Sequence, residues 1–260
     1  MKQISIISVL FFSLFFQHHL FAQEKVVVLD NFYNNEISSK TGKPYHYLWT
    51  DDALSGFSQW GSLFEKDGAE LKTLHEAPAA ANLKGADIYI IVDPDTPKET
   101  KSPMTVDQTA IKTITKWVKK GGVLLLMEND SSNAEFQHFN MLAAKFGMHF
   151  NEVSIHHVTG HQYDMGAFTN LPDHPVFKGV SKIYMKEVST ISLSGNAKPV
   201  LTENGHVIIA VAPFGKGHVV AIGDPWLYNE YIDHAKLPDS FQNLKAAKNF
   251  TTWLLSLTEK

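Results

Sequence analysis

The chain has 260 residues and, with 23 Lys plus Arg against 27 Asp plus Glu, a formal charge of −4. No long basic run accompanies that balance, which argues against a nucleic-acid or anionic-lipid footprint and favours a neutral or weakly charged partner. Cysteine is absent, so disulfides, a thiol nucleophile and lipid attachment through cysteine are excluded.

Met1-Lys2 precede an apolar run from Ile4 to Phe16 and then "QHHLFAQ". The run is shorter than the ~20 residues a spanning helix needs, and Ala22 offers a small residue before a cleavage point. Residues 1–22 are therefore expected to be a signal peptide, which makes the product periplasmic or secreted and leaves no membrane attachment after cleavage. Removing 22 of 260 residues leaves about 238, a length expected to form a single domain over 23–260.

"KVVVLD" (25–30) is a β-branched run ending in an acid, as in a strand covered on both faces. "GFSQWGSLFEKDGAELKTL" begins as a helix with Phe57, Trp60, Leu63 and Phe64 on one side, breaks at Gly68 and continues into a strand at 70–74. "LKGADIYIIVDPDTP" holds a buried strand at 88–92. "TVDQTAIKTITKWVKKGG" follows as a helix capped by Thr105 and stopped by a glycine pair. "VLLLMEND" is a fourth strand, and 133–146 a helix ended by Gly147. Shorter strands come next, with hairpin turns at Asn204-Gly205 and Gly215-Lys216-Gly217. "QNLKAAKNFTTWLLSLT" closes the chain as a helix. The alternation predicts an α/β fold, a doubly wound, mostly parallel sheet with antiparallel C-terminal additions.

Four predicted strands end in acids: Asp30-Asn31, Asp93-Pro94-Asp95, Glu128-Asn129-Asp130 and Asp224-Pro225-Trp226. In an open parallel sheet such ends share one rim, where ligands bind, and carboxylates there can accept sugar hydroxyls, hold a cation or share a proton. "PYHYLWTDD" with Trp49, and "PWLYNEY" with Trp226, Tyr228, Asn229 and Glu230, mix planar rings with acids and amides. Saccharide-binding surfaces have that composition, because ring faces cover C–H patches while polar groups take hydroxyls; a rigid loop pinned by its aromatics has it too.

"HHVTGHQYD" places His156, His157, His161 and Asp164 on one loop. The H-H-x3-H spacing matches no helical two-ligand motif such as H-E-x-x-H, so no metal is assigned, and no cofactor is called for. His157 and His161 stand as titrating groups near neutral pH. No G-x-S-x-G elbow, phosphate loop or G-x-G-x-x-G turn after the first strand is present, which counts against ordinary serine hydrolases and nucleotide enzymes.

The order "VVVLDNFYN", "GADIYIIVDPD", "WVKKGGVLLLMEND", "FNMLAAKFGMHF", "DHPVFKGV" and "GKGHVVAIGDPWLYNEY" resembles the class I glutamine-amidotransferase-like superfamily, a flavodoxin-like α/β fold. More closely it is similar to the domain found beside glycoside hydrolase family 88 and 105 modules in polysaccharide-degrading Bacteroidetes. Where amidotransferases carry a cysteine elbow this chain reads Met127-Glu128-Asn129-Asp130, so glutaminase chemistry is excluded. The resemblance implies acidic, rhamnose- or uronate-containing oligosaccharides as ligands and glycoside hydrolases as partners; it does not by itself transfer their activity.

Two functional classes stand open, beside a third reading as a purely structural amidotransferase-like scaffold. In a glycoside hydrolase, Glu128 and Asp224 would be the acid and base pair, with His157 or His161 as a third titrating group. In a noncatalytic saccharide- or partner-binding module the same rim would bind without cleaving. In both, Asp30, Asn31, Asp93, Asp95 and Asn129 join the aromatic segments as ligand contacts.

Overall fold

The computed structural model describes residues 24–131, 133–232 and 237–259. The expected signal peptide and its cleavage point lie outside these residues. The described elements are, in order, β1 (Lys25–Asp30), α1 (Ser58–Lys66), β2 (Ala69–Leu74), β3 (Ile88–Val92), α2 (Gln108–Lys119), β4 (Val123–Met127), α3 (Phe136–Ala143) and β5 (Met148–Ile155). The short strands β6 (Ala167–Phe168) and β7 (Ile183–Tyr184) follow, then β8 (Val188–Leu193), β9 (Lys198–Glu203), β10 (His206–Phe214), β11 (Gly217–Ile222), α4 (Asn229–Ile232) and α5 (Asn243–Ser256).

Nine strands form one mixed sheet in the order β2-β1-β3-β4-β11-β10-β8-β5, with β9 also paired to β10. The first five of that order are parallel neighbours, and the remaining pairings are antiparallel. The fold is therefore mixed α/β. Strand alternation divides the core: Val27, Leu29, Ile88 and Ile90 face one cluster with Trp60, Phe64 and Phe250, while Val28, Tyr89 and Ile91 face another with Ile111, Ile114, Val118 and Phe139. Burying each large apolar side chain stabilises the fold by about 1.5–3 kcal/mol.

Some element ends differ from the sequence reading. Asp107, not Thr105, caps α2, its Oδ1 accepting from the Ala110 N–H at 2.7 Å; Val106, between them, is buried in the core and holds the chain outside the helix. The helix expected over 133–146 begins only at Phe136, after the Glu135 carboxylate has taken the N–H groups of His138 and Phe139, and its last turn tightens to a 3-10 helix at Ala144–Phe146. The Asn204-Gly205 turn joins β9 to β10 with φ of 50° and 83°. Two positive φ values match the twist of the flanking strands, which is why Asn-Gly stands there.

Candidate functional site

Because β1, β3, β4 and β11 lie side by side and parallel, their carboxyl ends share one edge of the sheet. A cleft of ≈ 430 Å³ opens there. Asp93, Asn129 and Asp224 line it from the ends of β3, β4 and β11, and Tyr228, Glu230 and Tyr231 line it from the segment after β11. The loop after β1 contributes Glu36, Tyr45, His46 and Tyr47, and the turn between β7 and β8 contributes Lys186 and Glu187.

Backbone strain concentrates at this cleft. Six non-glycine residues among those described have positive φ, and four of them, His46, Tyr47, Asp93 and Glu187, line it. Each such conformation costs on the order of 1–3 kcal/mol and persists only where its surroundings over-determine it, as at ligand sites.

The Tyr47 hydroxyl donates to Asp93 Oδ2 at 2.5 Å and lies 3.3 Å from the Tyr228 hydroxyl, so the three side chains form one buried chain of hydrogen bonds. Burial pushes the Asp93 carboxyl well above its ordinary range; the Tyr47 hydroxyl opposes that shift, and Glu99, Glu36 and Asp95 add to it. Asp93 Oδ1 is buried with no partner among the described residues. Asp224 is 1 % exposed and its carboxyl is raised to about 8 by burial, against the pull of the Lys186 N–H, which donates to Oδ2 at 3.0 Å, and of the Lys186 charge. With its carboxyl at about 8, Asp224 is largely protonated near pH 7. For Glu36, burial is outweighed by the His46 hydrogen bond and charge and by the Tyr45 hydroxyl, which together hold its carboxyl below its ordinary value.

The other expected site residues fall elsewhere. Glu128 is fully buried, does not line the cleft, and has no partner among the described residues on either carboxylate oxygen; burial, then Asp93 and Glu135, push its pKa well up. That position removes it from direct contact with a cleft ligand. Asp30 is held beneath the rim by the Tyr89 hydroxyl at 2.5 Å and the Tyr33 N–H at 2.8 Å, and burial raises it to about 6. Asp95, also raised to about 6 by burial, accepts from Thr100 and the Asn35 N–H. Asn31 bonds the Asn34 carbonyl and His75. None of these three lines the cleft.

The aromatic wall needs correction. Trp226 is 0 % exposed and packs against Phe250 of α5, 6.2 Å between ring centres, so it is core rather than ligand surface. Asn229 also serves the fold: its Nδ2 donates to the carbonyls of Asp51 and Ala53 and to Ser58 Oγ, and its Oδ1 accepts from the Gln59 N–H. Those bonds engage both ends of the carboxamide in holding the fold. Trp49 packs among Phe57, Trp60 and Phe64 and donates to the Lys72 carbonyl, outside the cleft lining.

Neither His157 nor His161 lines the cleft. His157 is exposed and reaches it indirectly, through a 2.7 Å contact to Glu187; His161 is exposed beside Tyr163. Among the described residues no group of three or more His, Asp or Glu is arranged to hold a metal ion. The sequence reading missed Glu36, Glu99, Lys186 and Glu187. Only the Tyr-His-Tyr run at 45–47 gave a signal for the loop wall.

A family described as a domain of unknown function (DUF4350) matches residues 50–236. The chain belongs to that family. The matched stretch includes Asp93, Asn129, Lys186, Asp224 and Tyr228, whereas the wall at 36–47 precedes it. No curated protein matches the sequence. Among solved structures the chain is similar to the mmIFT52 N-terminal domain, with a TM-score of 0.64, 14% identity, and coverage of 89% of this chain and 98% of that one. It is also similar to a cytoplasmic protein of Salmonella typhimurium LT2, STM1381, with a TM-score of 0.59 and 15% identity over 90% and 100% of the two chains. A β-galactosidase from Rahnella sp. R3 aligns over 90% of this chain but 32% of its own, with a TM-score of 0.52 and 15% identity. At these identities the likeness concerns the fold alone.

Proposed function

We propose that this DUF4350 chain is an exported protein of polysaccharide degradation whose strand-end cleft holds a saccharide. The observation that carries the reading is the meeting of Asp93 and Asp224 with the Tyr47 and Tyr228 hydroxyls in one cleft. Sugar hydroxyls each donate and accept, so a complementary site needs groups that do both. Tyrosine hydroxyls do, and so does a carboxyl held at about 8, as at Asp224. Tyr45 and Tyr231 add ring surface for C–H patches, and ≈ 430 Å³ lies within the range of small-molecule sites.

Lys186 lines the cleft and makes no ion pair among the described residues. It offers a place for one uronate carboxylate, while Glu36, Glu99, Glu187 and Glu230 around it limit how much negative charge a ligand can bring. The order β2-β1-β3-β4-β11, with helices packed against both core clusters, supports a doubly wound, flavodoxin-like and amidotransferase-like α/β fold. The sequence resemblance to the domain beside family 88 and 105 glycoside hydrolases makes those enzymes the proposed partners.

A catalytic form of this reading assigns Asp224 as proton donor, since a carboxyl raised to about 8 is still protonated at neutral pH. Glu128 is not assigned. Titrating the protein with neutral, pectic and ulvan oligosaccharides, followed by product analysis, tests the proposal. Binding with cleavage that Asp224→Asn abolishes supports the hydrolase; binding without products supports the noncatalytic module; no binding to any of them overturns the saccharide reading. Export is tested separately, by N-terminal sequencing of the protein recovered outside the cytoplasm, expected to begin near Gln23.

A further inference from the structure

A second concavity, of ≈ 460 Å³, lies at the opposite end of the parallel strands. It is lined by the segment at 80–86, which leads into β3, and by α2, which leads into β4. Lys112, Lys116 and Lys120 recur every fourth residue, so they stand ~6 Å apart along one side of α2. Lys84 faces them from the other wall, and all four are exposed. None makes an ion pair among the described residues. Trp117 sits between them, its indole over Gly122, where a Cβ would come within 2.4 Å of the ring, and edge-on to Tyr89.

We propose that this groove is a binding site for an anionic oligosaccharide, carboxylated or sulfated. The chain as a whole is acidic, at −4, so four unpaired ammonium groups around one depression reverse the local sign, and charge complementarity selects a polyanion. The indole supplies a flat apolar face for sugar C–H groups. A polynucleotide fits less well. The groove has one aromatic ring where single-strand sites have a succession of them. All 23 basic residues are lysine, so the bidentate phosphate fork of arginine is missing. A lipid surface fits less well still, since none of the exposed large hydrophobics, Ile37, Leu54, Met104, Met141, Val153 and Met165, lines it. The inference does not rest on the strand-end cleft, which occupies the other end of the strands.

The test is calorimetric titration of the full chain, at low and at raised salt, with tetragalacturonate as probe. Cellotetraose, octathymidylate and phosphatidylserine vesicles are titrated alongside. Tetragalacturonate is expected to bind, to weaken as salt rises, and to quench tryptophan fluorescence. Its affinity should fall about tenfold or more in the double variant Lys112→Glu/Lys116→Glu, with circular dichroism and melting temperature showing an intact fold. Asp224→Asn, which alters the strand-end cleft, should leave the salt-sensitive component of tetragalacturonate binding in place. Absence of tetragalacturonate binding overturns the inference, as does a salt-sensitive component that survives the double charge reversal. Tighter capture of octathymidylate or of vesicles overturns it too. Loss of tetragalacturonate binding in Asp224→Asn alone would move the ligand to the cleft and end the case for the groove.

Discussion

Tyr47 and Asp93 are separated by 46 positions in sequence and joined by one hydrogen bond of 2.5 Å, hydroxyl to Oδ2, between two residues that both hold positive φ. The bond links the loop after β1 to the end of β3 and fixes the shape of the cleft between them. Tyr47→Phe removes the donor and leaves a buried carboxyl with neither oxygen paired. The expected cost is about 1–3 kcal/mol of stability, read by urea unfolding. Saccharide affinity should fall with it, since the chain from Asp93 to Tyr228 is cut. A variant as stable as the parent would show that the loop is positioned without this bond.

Stability should fall as pH rises through neutrality. Asp224, raised from 3.8 to about 8 by burial, binds its proton more tightly folded than unfolded. Its contribution is complete below about pH 4, declines at up to ~1.4 kcal/mol per pH unit, and is gone above about pH 8. Asp30 and Asp95, raised to about 6, add to the decline between about pH 4 and 6. Glu36 acts in the opposite sense, but below its ordinary 4.5, outside that window. Urea unfolding at intervals from pH 5 to 9 should show the slope, and Asp224→Asn, which stays neutral at every pH, should flatten its upper part.

Parts of this structure are written plainly in the sequence. Runs such as "VVVLD" and "VLLLMEND" identify strands because a strand covered on both faces must be apolar throughout, and their acidic ends fall on one edge because the strands are parallel. The cleft is less legible. Lys186 and Glu187 reach it from a turn with no periodicity, placed by packing of β7 and β8 rather than by a local pattern. Trp226 shows the converse. A ring among Asp, Asn and Glu reads alike whether it turns outward or inward, and the direction is set by Phe250, which arrives 24 positions later.

Trp226 and Tyr228, two positions apart, should therefore separate on mutation. Trp226→Ala empties a fully buried site and should cost about 3–5 kcal/mol, with saccharide affinity per folded molecule unchanged. Trp226→Phe should cost less, because it also removes an indole N–H that has no partner among the described residues. Tyr228→Phe keeps the ring and removes a hydroxyl that lines the cleft, so affinity should drop while the melting temperature moves little. The reverse pattern would return Trp226 to the site.

Gly223 delivers Asp224 from the end of β11 to the cleft. Gly223 leaves β11 clamped between two strands: its carbonyl accepts from the Ser189 N–H at 2.8 Å, and its N–H donates to the Ile208 carbonyl at 3.0 Å. A Cβ there would lie 1.9 Å from the Ser189 carbonyl oxygen, a backbone atom that cannot rotate aside. Gly223→Ala must push β11 away from β8, and Asp224 moves with it, off the Lys186 N–H that holds its Oδ2. Overpacking of this kind costs about 1–3 kcal/mol or more, and the displaced carboxyl should meet more water, lowering its pKa toward the ordinary value. Gly205→Ala is the control, since its strain is only the positive φ of a hairpin turn with nothing within 4 Å of the new methyl. Both variants should melt earlier, but only Gly223→Ala should also weaken saccharide binding and shift the pH at which the upper decline in stability ends. Equal affinity in the two variants would show that the cleft tolerates movement of Asp224 and that its position is not what the ligand reads.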